Sequence, residues 1–291
     1  MKILILDEFM HKKNREAISL MCESVGAEVT LSSDPSVFSE PYDLVLITNR
    51  LIPSQMFPFA KKILYGPHNF VFPTREWQQN PTLFDERCRY TCLSPWVKKI
   101  WEEFGSLALP VVPLPFAVNI ALFKPTNQPK EYDCFVYFKH RHQSLLPPIL
   151  EELQRQNLSF LVFRYGTYQQ DDYLNALRKC KFGIWLGSHE SQGFALEEAL
   201  SCNVPLFVLN VSSMFDEYDD NNRLCYTNEV GRYKLLATSV PYWDNRCGIL
   251  SSVDKFQEDL PRMLELWSMF QPRDYIVETL SPEVCMRRML A

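Results

Sequence analysis

The sequence predicts an α/β protein made of two doubly wound domains, and three observations support this prediction. Short apolar runs, typical of buried strands, alternate with segments of helical periodicity. The length of 291 residues suits two domains better than one. A proline-rich stretch at 111–119 separates two such alternating series, and we interpret it as a hinge. Because ligands of such sheets bind at the carboxyl ends of the strands, we expect a binding cleft there.

The first domain is predicted to span residues 1–117. Its first helix repeats apolar residues at Ile18 and Met21 and ends before Gly26, and its second helix begins after Ser94, a good capping residue. The predicted strands are 3–6, 27–31, 43–48, 62–65 and 89–93, and the predicted helices are 12–25 and 95–104.

The second domain is predicted to span residues 118–271, with a final helical segment at 272–291 packing back on the first domain. Within that final segment, Ser281 followed by Pro282 is a typical helix start. The other predicted strands are 134–138, 160–163, 182–186 and 205–209, and the other predicted helices are 145–153, 172–177 and 193–201.

Charge and cysteine usage restrict the class of protein. The chain has 30 basic and 35 acidic residues, a net charge of −5, whereas nucleic-acid-binding domains usually carry a basic excess. We therefore expect no nucleic-acid partner. Nine cysteines lie scattered without a Cys-x-x-Cys pair, which favours free thiols in a reducing compartment, with the cytoplasm as the expected location. No apolar run is long enough to cross a bilayer, and peripheral membrane contact stays open.

The strongest local pattern follows the predicted strand 182–186 and opens a helix. Glu190 lies in the loop, and Glu198 follows about two helical turns later. Backbone N–H groups between Ser191 and Phe194 would form a helix N-terminus, which favours a bound diphosphate. Gly193 has no Cβ and would let a ligand approach its backbone closely. An alternative interpretation is an ordinary helix on which Glu197 and Glu198 are solvated.

This pattern resembles the donor motif of the retaining GT-B glycosyltransferases of family 4, which include sucrose synthases and bacterial mannosyltransferases. The similarity comprises Glu190, seven residues, and Glu198-Ala199, followed by 203–205. The stretch 113–125 also resembles the interdomain segment of that family, and 270–275 resembles the start of its C-terminal crossover helix. The resemblance implies a GT-B fold, in which two Rossmann-like domains face each other across a cleft.

The resemblance also implies roles for particular residues. In that family the first motif glutamate contacts the transferred sugar and the second contacts the nucleotide ribose, which here are Glu190 and Glu198. A basic pair after the first strand of the second domain binds the diphosphate, and Lys139 and Arg141 occupy that place. The alternative for this pair is a solvated strand end that carries charge by chance.

Three further residues are weaker candidates. His68, in a turn of the first domain, is a candidate catalytic contact to the donor sugar, although a loop histidine with its own partners explains it nearly as well. Tyr165, after a predicted strand, is a candidate for recognition of the nucleotide base. His189 is expected only to support Glu190.

The expected function is transfer of a hexosyl group from a nucleoside diphosphate sugar to a glycan or other small acceptor. The chain contains no Asp-x-Asp triplet, so we expect no metal and no cofactor besides the sugar nucleotide. The glycine-rich loop usual after the first strand is missing, which leaves open a sugar-nucleotide-binding protein without turnover. A sugar-nucleotide epimerase of the same architecture is the other alternative. The polar segment 214–248 has no functional explanation from sequence.

Overall fold

A computed structural model describes residues 1–6, 10–48, 52–67, 83–103, 109–225 and 236–291. Within these ranges the chain forms two compact units. One comprises Met1–Ala117 with Leu280–Ala291, and the other comprises Val118–Thr279. Each unit is built on its own parallel sheet with helices between the strands, so the predicted α/β class is confirmed.

The sheet of the first unit contains the predicted strands and one that the sequence analysis assigned to the hinge. In chain order the elements are β1 (Lys2–Leu6), α1 (Lys12–Ser24), β2 (Glu28–Leu31), β3 (Leu44–Ile47), β4 (Ile63–Tyr65), β5 (Cys88–Cys92), α2 (Pro95–Glu103) and β6 (Val111–Pro113). The strands pair in the order β2-β1-β3-β4-β5-β6, all parallel. The side chains of Tyr90 and Trp101 stack at 4.2 Å in the core between sheet and helices.

The second unit has the same design with a different strand order. Its elements are β7 (Tyr132–Lys139), α3 (Leu146–Arg155), β8 (Phe160–Arg164), α4 (Gln170–Lys179), β9 (Cys180–Gly187), α5 (Phe194–Ser201), β10 (Leu206–Leu209), β11 (Gly248–Ser251), α6 (Phe256–Leu266) and α7 (Pro272–Leu280). The parallel order is β11-β10-β9-β7-β8. The order changes direction between β7 and β9, which makes this gap the topological switch point of the sheet.

A glycine lets the central strands pack closely. A Cβ at Gly183 in β9 would overlap the ring of Phe135 in β7 and the side chain of Leu206 in β10. The aromatic ring therefore fills the space that a side chain at position 183 would take, and β9 stays in register with both neighbours.

The C-terminal segment differs from the single helical segment predicted at 272–291. It forms two helices, α7 and α8 (Pro282–Leu290), separated at Ser281, whose ψ of 155° is extended. The break follows from Pro282, which has no N–H to continue a helix and disfavours helical geometry in the residue before it. Helix α8 packs against α1 in the first unit, and Lys62 donates to the carbonyl oxygen of Met289 at 3.1 Å.

Candidate functional site

The loops that follow β7 and β9 lie at the switch point of the second sheet. The backbone of Lys139 is in register with that of Gly187, and the N–H of Ser188 donates to the carbonyl oxygen of Lys139 at 2.9 Å. The two loops therefore leave the sheet side by side. This is the position at which open parallel sheets bind ligands.

Lys139 and Glu190 form an ion pair between these loops. The Nζ atom of Lys139 lies 2.8 Å from each carboxylate oxygen of Glu190. Both side chains are nearly buried, with exposed fractions of 16% and 10%. Burial acts to lower the pKa of Lys139, but the charge and hydrogen bonds of Glu190 outweigh it and hold the pKa above its ordinary value. Lys139 therefore carries a fixed positive charge at neutral pH, and the solvated strand end considered from sequence is wrong.

Arg141 forms hydrogen bonds with the ends of two strands of the sheet. Its guanidinium is buried, and Nη1 donates to the carbonyl oxygens of Gly187 at 3.2 Å and Leu209 at 3.1 Å. Burial lowers the pKa of Arg141, an effect that the nearby Asp216 carboxylate opposes. The side chain thus joins the ends of β9 and β10 and brings a second positive charge beneath the loops.

Helix α5 begins at the predicted position, and Gly193 is required there for its backbone. Gly193 is the N-cap residue with φ 97° and ψ 50°, a left-handed conformation that favours glycine. Phe194 is the first helical residue. Gly193 therefore does mark the start of a helix, as predicted, and its role in the structure is to form the turn between the Glu190 loop and α5.

The interpretation of α5 as a helix with solvated glutamates is wrong. Glu198 is 5% exposed and Glu197 is 0% exposed. The Nε2 atom of Gln192 donates to Glu197 at 2.9 Å, and no described residue gives the other carboxyl oxygen of Glu197 a hydrogen bond. Burial raises the pKa of Glu197 well above its ordinary value. Two adjacent carboxyl groups therefore lie beneath the surface beside the Glu190 loop.

Replacing Glu197 with glutamine is expected to stabilise the protein more at high pH than at low pH. The folded state holds the Glu197 proton to a higher pH than the unfolded state does, so stability is present below the ordinary pKa of 4.5 and is lost as pH rises towards the raised pKa. The slope is at most about 1.4 kcal/mol per pH unit. Thermal unfolding from about pH 5 to pH 8 checks this expectation. Glu151→Gln, at an exposed position of α3, is the control and should show no such trend.

The C-terminal end of α5 is anchored by Arg273 at the start of α7. Its guanidinium donates to the carbonyl oxygens of Ile120 at 3.2 Å, Phe123 at 3.0 Å and Ser201 at 2.7 Å. The three segments singled out by the family resemblance therefore meet at one side chain. This contact fixes the helix that carries Glu198.

Tyr165 follows β8 next to the ion pair and is 49% exposed. The Nζ atom of Lys139 lies 4.7 Å from the centre of its ring, and the ring of His140 meets it edge-on at 5.2 Å. Its role in base recognition stays a prediction. His68 lies outside the described residues, and its catalytic role also stays a prediction.

Sequence reasoning missed Glu217, which lies in the polar segment left without an explanation. Its carboxylate is 3.3 Å from Nδ1 of His140 and 3.1 Å from Nδ1 of His189. Burial acts to raise the pKa of Glu217, but the hydrogen bond from His140 and the nearby basic groups outweigh it and hold the pKa below its ordinary value. Burial lowers the pKa of His189. The only sequence signal was an acidic residue in a polar run, which is also typical of solvated loops.

Aromatic side chains pack together on the two strands that lead to the ion pair. The rings of Tyr137 in β7 and Trp185 in β9 stack at 4.1 Å with an interplanar angle of 3°. The hydroxyl of Tyr137 is hydrogen-bonded to that of Tyr168 at 2.9 Å. Because stacked aromatic pairs add to the stability of packed neighbours, this stack stabilises the pairing of β7 with β9.

Among the described residues, no group of three or more His, Cys, Asp or Glu side chains is arranged to hold a metal ion. None of the helices within the described ranges is both long and apolar enough to cross a membrane.

Comparison with known proteins finds relatives by structure. No protein-family model and no curated protein sequence matches the chain. HepE of Anabaena, solved in complex with UDP, is 12% identical, with 99% of this chain and 98% of HepE covered and a TM-score of 0.57. The lipopolysaccharide outer core galactosyltransferase WaaB, solved in its apo form, is 10% identical, with coverages of 99% and 98% and a TM-score of 0.53.

TarM of S. aureus, solved as a mutant in complex with UDP and other ligands, is 14% identical with a TM-score of 0.50. The alignment covers 85% of this chain and 54% of the TarM chain, so this chain spans about half the length of that relative. At these identities the likeness concerns the fold. The chain has the GT-B fold, with two Rossmann-like domains that are each built on a parallel sheet.

Proposed function

We propose that the protein is a glycosyltransferase that moves a hexosyl group from a nucleoside diphosphate sugar to a glycan or other small acceptor. The observation that carries the proposal is the Lys139–Glu190 ion pair at the switch point, with Glu198 buried on the adjacent helix. The structural relatives support it, since one is described as a galactosyltransferase and others were solved with UDP.

In the proposed reaction the bond between the anomeric carbon and the diphosphate oxygen breaks, and the electron pair leaves with the diphosphate. The ammonium of Lys139 stabilises the negative charge that develops there, and the guanidinium of Arg141 adds positive potential from below without leaving its carbonyl partners. The N-terminus of α5, at Gly193 and Phe194, contributes a favourable dipole. An acceptor hydroxyl oxygen bonds to the anomeric carbon and passes its proton to the departing diphosphate oxygen.

The two motif carboxylates have different proposed partners. Glu190 accepts hydrogen bonds from the transferred sugar and stabilises the positive charge that develops on its ring. Glu198 accepts hydrogen bonds from the ribose hydroxyls. Because Glu190 already binds the Lys139 ammonium, an incoming diphosphate competes with it, and donor binding reorganises this pair. Tyr165 is proposed to contact the base and His68 the donor sugar, and transfer is proposed to retain the anomeric configuration.

A thermal-shift screen with the UDP, GDP and ADP forms of common hexoses tests the proposal. A ligand at a hundredfold excess over its Kd stabilises the folded state by about 2.7 kcal/mol, which is readily measured. Stabilisation by at least one nucleoside diphosphate sugar, with release of its nucleoside diphosphate, supports a transferase. Stabilisation without release indicates a binding protein, and a sugar of altered configuration indicates an epimerase. No shift with any of them contradicts the proposal.

Activity and donor binding are expected to be nearly equal with and without EDTA. The expectation rests on the missing Asp-x-Asp triplet and on Lys139 and Arg141, which can neutralise the leaving diphosphate. Initial rates of nucleoside diphosphate release, measured with EDTA and with added Mn²⁺, check it. Loss of activity with EDTA that Mn²⁺ restores would show that the leaving-group chemistry needs a metal.

A further inference from the structure

The segment 217–225 forms a small hairpin that packs on the loop after β7. The hairpin closes by a bridge between Tyr218 and Leu224 and by a hydrogen bond from the N–H of Cys225 to the carbonyl oxygen of Glu217 at 3.0 Å. The N–H of Tyr218 donates to the carbonyl oxygen of His140 at 2.9 Å. We call this element the 217–225 hairpin.

A second contact lies further along the hairpin. The side-chain oxygen of Asn222 accepts a hydrogen bond from the N–H of Gln143 at 2.9 Å, and its Nδ2 lies 2.6 Å from Nε2 of His142. The ring of His142 meets that of Tyr218 edge-on at 5.1 Å. The hairpin is therefore attached to residues 140–143 by backbone and side-chain contacts together.

The loop that the hairpin holds is strained at its centre. His140 has φ 51°, a left-handed backbone conformation that disfavours residues other than glycine. It lies between Lys139, which pairs with Glu190, and Arg141, which bonds to the ends of β9 and β10. The left-handed turn thus lets Lys139 reach the Glu190 loop and Arg141 reach the strand ends, and its cost must be offset by contacts to His140.

Glu217 supplies such a contact and adds a second one across the site. One carboxylate oxygen lies 3.3 Å from Nδ1 of His140, and the other lies 3.1 Å from Nδ1 of His189. These histidines are the chain neighbours of Lys139 and Glu190. The side chain of Glu217 is 15% exposed, so water competes little for these two contacts.

We propose that Glu217 is a positioning residue for the donor site, which holds the Lys139 and Glu190 loops in their binding geometry through His140 and His189. The inference rests on the proposed function, because the ligand that these loops are arranged to bind is a nucleoside diphosphate sugar. The proposed role of Glu217 involves no direct contact with the donor. The polar segment that has no explanation from sequence thereby gains a role in arranging the site.

Nucleoside diphosphate titration of three variants tests the proposal. Glu217→Ala should weaken binding about 10-fold, the equivalent of about 1.4 kcal/mol. Adding His140→Gly to Glu217→Ala should recover part of the lost affinity, because glycine adopts the left-handed turn without a partner while the contact to His189 stays lost. Asp220→Ala, which removes the same charge from an exposed position of the same hairpin, should change the affinity less than about 2-fold.

Hydrogen exchange followed by mass spectrometry gives a second measurement that needs no ligand. In Glu217→Ala, exchange should become faster in peptides covering 139–143 and 187–192 and stay unchanged in β10 and in the first unit. Unchanged exchange and unchanged affinity, or an equal loss in Asp220→Ala without rescue by glycine, would overturn the positioning role. Faster local exchange in a protein that binds no nucleoside diphosphate would leave the positioning role standing and refute the proposed function.

Discussion

Replacing Glu190 with glutamine is expected to lower kcat on the order of 100-fold, while the affinity for bare nucleoside diphosphate stays the same or rises. The substitution keeps the shape of the side chain and removes the charge that opposes the positive charge of the transition state, and such losses appear in kcat. It also frees the Lys139 ammonium from its bonded carboxylate, so the affinity for diphosphate should not fall. Titration with nucleotide and single-turnover kinetics with the intact donor check both parts.

The matched variant is Glu198→Gln, at the second motif carboxylate. Because ribose hydroxyls are present in the donor and in the released nucleotide alike, this variant should weaken both ligands by a similar factor, roughly 10-fold if about 1.5 kcal/mol is lost. If Glu190→Gln weakens bare nucleotide as strongly as Glu198→Gln does, the proposed division of roles is wrong. If neither variant changes anything, the motif has no part in donor binding.

Replacing Lys139 with alanine is expected to weaken nucleoside diphosphate binding roughly 10-fold to 100-fold, since each charge-assisted bond to phosphate contributes about 1.5–3 kcal/mol. The unphosphorylated nucleoside should bind almost as before. The structure adds a second effect, because the nearly buried carboxylate of Glu190 loses its ammonium partner. Removing one member of a buried pair costs about 3–5 kcal/mol, and the exposure that remains here reduces that cost. Thermal unfolding and titration with both ligands measure the two effects separately.

Two further variants separate binding from folding. The double variant Lys139→Ala/Glu190→Gln should recover much of the lost stability, because no unpaired charge is left, and should recover none of the diphosphate affinity. Lys181→Ala removes an ion pair with Asp133 at the opposite end of β9 and should not affect nucleotide binding. Equal losses for nucleoside and nucleoside diphosphate in Lys139→Ala would identify a folding defect and remove Lys139 from the diphosphate site.

The elements that the sequence predicted well are those with a strong local signal. The apolar runs of β1, β3, β7 and β9 identify buried parallel strands, because such strands are apolar on both faces. The elements it missed lack that signal. Helix α6 contains Pro261 in its interior, and β11, with the sequence Gly-Ile-Leu-Ser, has only two apolar residues, so neither shows a clear period.

In the candidate site, too, the residues with a strong local sequence signal could be predicted and the others could not. The positions of Lys139, Glu190 and Gly193 could be predicted, because Lys139 ends a strand, Glu190 follows one and Gly193 opens a helix. The burial of Glu197 and Glu198 could not, since a helix with two adjacent glutamates is usually solvated and only tertiary packing decides otherwise. Glu217 could not be found either. It lies 27 residues beyond Glu190 in the sequence, and its contact with the histidines depends on how the 217–225 hairpin folds back.

Release of nucleoside diphosphate from sugar nucleotides reports directly on the proposed transfer of a hexosyl group. We expect the wild-type protein to release nucleoside diphosphate from at least one of the UDP, GDP or ADP hexoses, and to do so faster when a suitable glycan acceptor is added. Glu190→Gln should bind the same donor and release its nucleoside diphosphate on the order of 100-fold more slowly. Wild-type release at the rate of Glu190→Gln with every donor, or no donor binding at all, would contradict the proposed glycosyltransferase activity.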